Sequence, residues 1–307
     1  MPVSNFPNGF SSGVSVRGVP LLNMYAGKSN VFWVDSTAGS NGNPGTHNQP
    51  FSTIDYAVGR CTASNGDLIM VAPGHVETVI AGAGLALDVV GITVIGMGSG
   101  SNQPKVNYTT AIGATMTVSA ANVTVVNMLF TGGFDALTSP IVVSAADFKL
   151  IDCEYRDVTG QCTDFLLTTA AADRMLIQNF RYDGAAAAGT NAGIAIVGGD
   201  RITIDGMWMD GNFAIGGIDV RTTATTDLEV RNVVFRTRHA ADIFLVDTIT
   251  TSTGMIGPNL YLRLQDNAAN ITEACTGATF VYMQPISVVN LAGESSMFTN
   301  ITASTDA

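Results

Sequence analysis

A repeat of about 26 residues between residues 110 and 245 constrains the fold of this chain more than any other feature. Five short β-rich segments recur at steps of 26, 26, 27 and 26 residues and end at Asn127, Cys153, Asn179, Gly206 and Asn232. A second series keeps the same period and opens at Ile141, Phe165, Ile194, Ile218 and Ile243. Strand-forming repeats of this length, with no helical pattern between them, are typical of stacked coils. The sequence therefore predicts an all-β fold, a single-stranded right-handed parallel β-helix of about nine coils.

The sequence around the repeat divides the chain into four parts. Residues 1–30 are rich in Pro and Gly but also carry many apolar side chains, which predicts an extended N-terminal arm that docks on its own β-helix or on a partner. Residues 31–65 predict an N-terminal cap of a strand, a loop and a short capping helix, with Ser52 as its N-cap and Gly59 as its end. We expect the β-helix over residues 66–285 and a C-terminal cap or tail over residues 286–307.

The charge and the cysteine spacing exclude several classes of partner and site. The net charge is −11 and only 13% of the residues are charged. Nucleic acid and anionic membrane surfaces require clustered cations, so neither is an expected partner. No signal-like start and no apolar run long enough to span a membrane is apparent, which predicts synthesis in a host cytoplasm. The four cysteines lack disulfide or zinc spacing, so we expect buried thiols, no metal and no cofactor.

Two segments carry a resemblance to a known family. Residues 32–54 contain Phe-Trp-Val-Asp, Gly-Asn-Pro-Gly and Pro-Phe-Ser-Thr-Ile in turn, and residues 66–77 read Gly-Asp-Leu-Ile-Met-Val-Ala-Pro-Gly-His-Val-Glu. This series resembles the start of pectate-lyase-like right-handed parallel β-helix proteins, in particular those of tailed bacteriophages. The sequence departs from the family where His75-Val76-Glu77 stands, because many members have an aromatic residue before the Glu.

The resemblance implies a fold rather than one activity. The family includes polysaccharide lyases, glycosidases, tailspikes and non-enzymatic virion proteins. The segments over residues 5–10 and 16–20 also resemble the start of phage particle proteins of no assigned activity. Function therefore depends on which residues the coils bring together.

Counting from the repeat predicts one acidic column on successive coils, made of Asp157, Asp183 and Asp210 and followed by Arg236. Neighbouring carboxylates of this kind are what a glycosidase needs, and stacked carboxylate oxygens also suit calcium. Tyr182 and Trp208 are candidates for a sugar-stacking surface. The alternative is that Asp and Gly only form turns between strands. The series Asn127, Asn179 and Asn232 predicts a side-chain hydrogen-bond ladder, interrupted at Cys153 and Gly206.

Three functional hypotheses follow. The first is a non-enzymatic virion structural protein, a homotrimeric capsid decoration or cement protein that binds the capsid or another virion protein through its arm. Its expected contact residues are Phe6, Phe10, Val16, Arg17, Leu21, Leu22 and Tyr25. The second is a tailspike or receptor-binding protein that binds or cleaves host surface polysaccharide, with Asp157, Asp183 and Asp210 as catalytic candidates. The third is a free polysaccharide lyase. We expect the first, located in the virion and without enzymatic activity.

Overall fold

The structure, a computed structural model, describes residues 15–16, 19–20, 29–109, 111–157, 162–184, 190–237, 243–264, 275, 278–290 and 295–296. Over these residues the chain winds into a parallel β-helix whose wall consists of three sheets. Sheets 1 and 2 each contain ten strands, and sheet 3 contains seven. The predicted all-β solenoid is confirmed. The predicted number of about nine coils is slightly too high, because the described ends of the chain add strands to sheets 1 and 2 but not to sheet 3.

The strands are short, as expected for a wall that turns three times in each coil. Sheet 1 consists of Val31–Val34, Leu68–Val71, Thr93–Gly96, Thr124–Val126, Lys149–Ile151, Leu176–Gln178, Thr203–Asp205, Leu228–Arg231, Thr253–Ile256 and Thr279–Tyr282. Sheet 2 consists of Val76–Thr78, Lys105–Tyr108, Leu129–Gly132, Glu154–Asp157, Arg181–Asp183, Trp208–Gly211, Val233–Thr237, Leu260–Leu264, Ile286–Asn290 and the antiparallel Ser295–Ser296. Sheet 3 consists of Leu85–Leu87, Met116–Val118, Ile141–Val143, Asp164–Thr168, Thr190–Ile196, Phe213–Val220 and Leu245–Asp247.

Two pairs of short strands and two short helices complete the described chain. Ser15–Val16 pairs with Val19–Pro20 in an antiparallel pair, and Gly199–Asp200 pairs with Thr225–Thr226 in a parallel one. One α-helix spans Ile54–Val58 and one 3₁₀ helix spans Gly100–Asn102.

Side chains alternate between the core and the outer surface along most strands of sheets 1 and 2, because successive residues of a β-strand point to opposite faces. The two longest strands of sheet 3, Thr190–Ile196 and Phe213–Val220, are instead buried over most of their length. In sheet 1, for example, Leu150, Ile177, Ile204 and Val230 are stacked in register and fully buried. Aromatic rings fill the core between sheets 2 and 3, with Phe165 at the centre of a group that includes Phe130, Tyr155, Phe180 and Tyr182. The core is thus continuous along the solenoid.

The turn from sheet 1 to sheet 2 repeats one backbone conformation. Its residues adopt positive φ angles between 51° and 74° and are Asn127, Asp152, Asn179, Gly206, Asn232 and Asn259. Asn and Asp tolerate this left-handed region better than other side chains, and glycine enters it freely. The amide of Asn179 donates to Asp152 (3.0 Å), and the amide of Asn259 donates to Asn232 (2.8 Å). The predicted ladder is confirmed for Asn179 and Asn232, whereas the Asn127 amide donates to the backbone oxygens of Gly96 (2.8 Å) and Gly98 (2.9 Å). Cys153 interrupts the ladder as predicted, because it is buried in the core and Asp152 occupies the turn position.

We expect Asn232→Ala to lower the free energy of unfolding by about 2 kcal/mol. The variant loses the hydrogen bonds of Asn232 to Asp205 (2.6 Å) and Asn259 (2.8 Å), and alanine is strained at a φ of 54°. Asn232→Gly removes the same bonds without the strain, so it should be less destabilising than alanine. Chemical denaturation of the parent chain and the two variants measures how much stability is lost with the hydrogen bonds and how much through the backbone strain. Equal stability of the alanine and glycine variants would show that strain at this positive φ angle does not affect the free energy of unfolding.

The helix Ile54–Val58 covers the open end of the first coil. Its apolar face, Ile54, Ala57 and Val58, is buried as predicted, and Gly59 is its C-cap. The N-cap is Thr53, whose hydroxyl oxygen accepts a hydrogen bond from the Tyr56 amide (3.3 Å). The prediction of Ser52 is therefore wrong by one residue.

Candidate functional site

The acid residues of the family-like segments hold the cap to the first coil. Asp67 is fully buried and accepts hydrogen bonds from the backbone amides of Asn30 and Thr62 (both 2.7 Å) and from the side-chain amides of Asn30 (3.2 Å) and Asn65 (2.6 Å). Burial alone would raise the pKa of Asp67, but these hydrogen bonds outweigh it and hold the pKa below its usual range. Asp67 is thus a structural anion that ties three segments together.

Glu77 and His75 form a second buried contact beneath the capping helix. Glu77 accepts a hydrogen bond from the Ile54 amide (2.6 Å), at the start of the helix. The Ser36 amide donates to Nδ1 of His75 (2.9 Å), so Nδ1 is an acceptor and the proton lies on Nε2, which faces Glu77 at 3.2 Å. Both side chains are almost fully buried. The motif that carries the resemblance therefore builds the end of the solenoid.

The outer face of sheet 2 carries most of the candidate catalytic residues. The strand register places Asp183 opposite Asp210, and Asp210 opposite Arg236. On the other side, Asp183 lies opposite Arg156. The outer column is therefore Arg156, Asp183, Asp210 and Arg236, with one arginine at each end of the acidic pair.

Asp157 does not belong to this column, so the predicted triad of carboxylates is wrong at that position. Asp157 lies opposite Gly132, one residue beyond Arg156, and its side chain accepts a hydrogen bond from the Tyr155 hydroxyl. The chain advances 27 residues from Arg156 to Asp183, whereas the count from the repeat used 26. A shift of one residue in a strand moves a side chain to the opposite face.

A second outer column runs beside the first and contains Glu154, Arg181, Trp208 and Val234. Glu154 pairs with Arg156 (2.7 Å) and with Arg181 (3.3 Å). The Arg181 guanidinium lies over the Trp208 ring at 4.4 Å from its centroid, and Arg236 approaches the same ring at 5.8 Å. Trp208 is half-buried, and its ring face is in contact with cations. The two columns together form the sheet 2 charge strip, a surface of three acids and three arginines around the Trp208 indole, with Val234 at one end.

Tyr182 is not part of this surface. It is fully buried, and its ring packs against Tyr155 at 5.2 Å and Phe213 at 5.4 Å between centroids. The proposal that Tyr182 stacks on a sugar is therefore wrong, because strand alternation turns it inward between Arg181 and Asp183.

The predicted partner-binding residues of the arm fall mostly outside the described residues. This applies to Phe6, Phe10, Arg17, Leu21, Leu22 and Tyr25. The backbone of Val16 is described, in the short pair with Val19–Pro20. These contacts remain predictions.

A buried acidic cluster on sheet 3 was not predicted. Arg221 bridges Asp164 and Asp219, the latter at 3.3 Å. Asp247 is fully buried nearby, and one of its carboxylate oxygens has no hydrogen-bond partner. Burial raises the pKa of Asp164, Asp219 and Asp247, although Arg221 counteracts it at the first two. A carboxylate inside an apolar strand, as in Ile218-Asp219-Val220, was the only sequence signal for this cluster.

In the described ranges, no group of three or more His, Cys, Asp or Glu side chains is arranged to hold a metal ion. None of the described helices is long and apolar enough to cross a membrane. The four cysteines are free thiols, with Cys153 and Cys162 buried and Cys61 and Cys275 half-buried.

Comparisons with known proteins show similarity in fold. No protein family model and no curated protein matches the sequence. Similar solved structures include a rhamnogalacturonan lyase, with 13% sequence identity, a TM-score of 0.48, and coverage of 87% of this chain and 89% of that chain. Another is the GH136 lacto-N-biosidase from Eubacterium ramulus, with 11% identity, a TM-score of 0.45, and coverage of 85% and 68%.

Proposed function

We propose that this chain is a non-enzymatic structural protein of a bacteriophage particle, a capsid decoration or cement protein that attaches through its N-terminal arm. The observation that carries the proposal is the charge balance of the sheet 2 charge strip. Its acidic pair, Asp183 and Asp210, is flanked in register by Arg156 and Arg236. The four side chains of this column sum to zero net charge at neutral pH.

Such balance suits a packing surface better than a hydrolytic site. Glycosidases use two carboxyl groups about 5–10 Å apart that act as acid and base or as acid and nucleophile. Here the third candidate, Asp157, is held by the Tyr155 hydroxyl on the other face of the strand. The sugar-stacking candidate Trp208 is in contact with Arg181. The candidate residues are therefore engaged with one another.

A decoration protein needs a rigid body with long, regular surfaces, and the solenoid provides both. The central coils hydrogen-bond to one another through three sheets, so the scaffold is rigid and presents long, regular faces. The resemblance of residues 32–54 and 66–77 to phage β-helix proteins supports the same assignment. A homotrimer packed along these faces, with the arms directed at the particle, is the proposed assembly.

Labelling of intact particles tests the proposal directly. Gold-labelled antibody against the β-helix should decorate the heads of purified particles of the phage that encodes the chain. Particles produced with a chain that lacks residues 1–28 should lose the label, while the truncated protein stays folded by circular dichroism. Label confined to the tail would favour the receptor-binding hypothesis, and unlabelled particles would overturn the proposal.

We expect the double variant Asp183→Asn and Asp210→Asn to assemble on particles as the parent chain does. The reason is that attachment to the particle runs through the N-terminal arm, which contains neither carboxylate. The same variant tests the polysaccharide hypothesis, which requires a loss of reducing-end release from host capsule or lipopolysaccharide. The matched control is Asp135→Asn, because Asp135 is exposed and lies outside the strip. Sugar release by the parent chain that the double variant abolishes would show an enzyme.

A further inference from the structure

The outer face of sheet 1 carries an apolar stripe that the proposed function does not use. The register aligns one outer side chain from each of the first five strands: Trp33, Met70, Ile95, Val126 and Ile151. All five are half-buried rather than buried, so they lie on the surface of the solenoid. We call this set the sheet 1 stripe. The outer face of sheet 2, in contrast, carries the charge strip on later coils.

The stripe ends where the column becomes polar. The next three residues in register are Gln178, Asp205 and Arg231, and the last two form an ion pair at 3.0 Å. At the other end, Trp33 lies in the first strand of sheet 1 and its ring packs edge-on against His47 at 4.6 Å. Four strand spacings of about 4.8 Å give the stripe a length of roughly 19 Å.

These dimensions decide what kind of partner can cover the stripe. With a width of roughly 10 Å, set by one or two side chains along each strand, the stripe measures about 200 Å². A stable interface between two protein copies needs about 800 Å² on each side. One extended segment of about six residues spans roughly 20 Å, which matches the length of the stripe. The stripe therefore fits a single peptide strand better than a second folded copy.

The N-terminal arm is the segment that reaches this place. The chain enters sheet 1 at Val31, two residues before Trp33. Ser29 and Asn30 are fixed there by hydrogen bonds to Asn65 and Asp67, so the arm starts beside one end of the stripe. Three residues, 26–28, separate Ser29 from the segment 20–25, which reads Pro-Leu-Leu-Asn-Met-Tyr and is an apolar segment of the required length.

We propose that residues 20–25 of the arm dock on the sheet 1 stripe of the same chain. The docked segment runs along the stripe from Trp33 to Ile151 and leaves residues 1–19 to extend beyond the solenoid. Burial of apolar side chains against apolar side chains drives the contact. The inference assigns Leu21, Leu22 and Tyr25 to the chain's own body, and it leaves Phe6, Phe10, Val16 and Arg17 of the expected contact residues for the particle.

Tryptophan fluorescence tests the docking, because the chain contains only two tryptophans, Trp33 and Trp208. In a Trp208→Phe background, Trp33 is the only emitter. Removal of residues 1–28 should shift its emission to longer wavelength and raise its acrylamide quenching constant at least about twofold. Unchanged emission and quenching in a truncated protein that keeps its circular dichroism spectrum would overturn the proposal.

A second variant keeps the full chain and so does not depend on the folding of the truncated one. Ile95→Asp places a charge in the stripe at an outer position, and it should release the arm and speed trypsin cleavage after Lys28 by about tenfold. Val234→Asp is the matched control, because Val234 is a half-buried outer residue of sheet 2. Equal cleavage rates in the parent chain and both variants would contradict docking. Loss of Trp33 protection on dilution of the full chain would place the arm on a neighbouring copy and overturn docking within one chain.

Discussion

Replacing Phe165 with alanine is expected to lower the free energy of unfolding by about 4 kcal/mol. Phe165 is almost fully buried, and its ring contacts Tyr155, Phe180, Phe130 and Tyr182 at centroid distances of 4.4, 5.0, 6.1 and 6.1 Å. The substitution leaves a cavity between sheets 2 and 3 and removes all four ring contacts. Denaturant unfolding followed by far-UV circular dichroism measures the loss.

Two companion variants make this result interpretable. Phe165→Leu keeps most of the volume and should lose about 1.5 kcal/mol. Tyr261→Ala removes an aromatic ring from an exposed outer position and should change stability by less than about 0.5 kcal/mol. A similar loss for Phe165→Ala and Tyr261→Ala would show that the aromatic core does not stabilise the solenoid.

The second large effect is expected from Asp67→Ala, which should lower the free energy of unfolding by about 4 kcal/mol. The variant removes a buried carboxylate and leaves two backbone amides, of Asn30 and Thr62, without their acceptor. Hydrogen bonds to charged groups contribute about 1.5–3 kcal/mol each, and orphaned buried donors add to the loss. Hydrogen exchange should increase first in residues 29–71, where the cap joins the first coil.

Asp67 also predicts how stability depends on pH. Its pKa is lowered in the folded protein, so its stabilisation is complete above the unfolded pKa of about 4 and is lost as the pH falls through the folded value. Asp67→Asn should therefore reduce the slope of stability against pH below about pH 4. Asp135→Asn, at an exposed position, serves as the control and should leave that slope unchanged. Identical slopes for all three proteins would contradict the structural role of Asp67.

The buried acidic cluster on sheet 3 changes the pH dependence of stability in the direction opposite to that of Asp67. The pKa of Asp164, Asp219 and Asp247 is raised in the folded protein, mainly by burial. Folding is then favoured where these groups are protonated, and that contribution is lost as the pH rises through their folded pKa values. Mild acid should stabilise the solenoid through this cluster, and stronger acid should destabilise it through Asp67.

Much of the architecture could be predicted because a solenoid repeats its local rules. The 26-residue period identified the stacked strands, and the asparagines of the sheet 1 to sheet 2 turn marked a left-handed position that few side chains accept. The wrong predictions for individual site residues come from errors in the strand register. One extra residue between Arg156 and Asp183 separated Asp157 from the acidic column, and the same alternation placed Tyr182 inside. Arg221 contacts Asp164, which lies 57 residues earlier in the chain. Counting one 26-residue repeat at a time does not reveal this contact.

The turns between the sheets differ in whether they accept inserted residues. The turn from sheet 1 to sheet 2, with its left-handed backbone conformation, is the one that does not. Its residues form hydrogen bonds from coil to coil, so an added residue there would break the contact with both neighbours. The connections from sheet 2 to sheet 3 follow no such rule: residues 109–115 join one pair of strands, and Asn212 alone joins another. New loops, and with them new binding specificities, can therefore be inserted along that edge of the solenoid without disturbing its register.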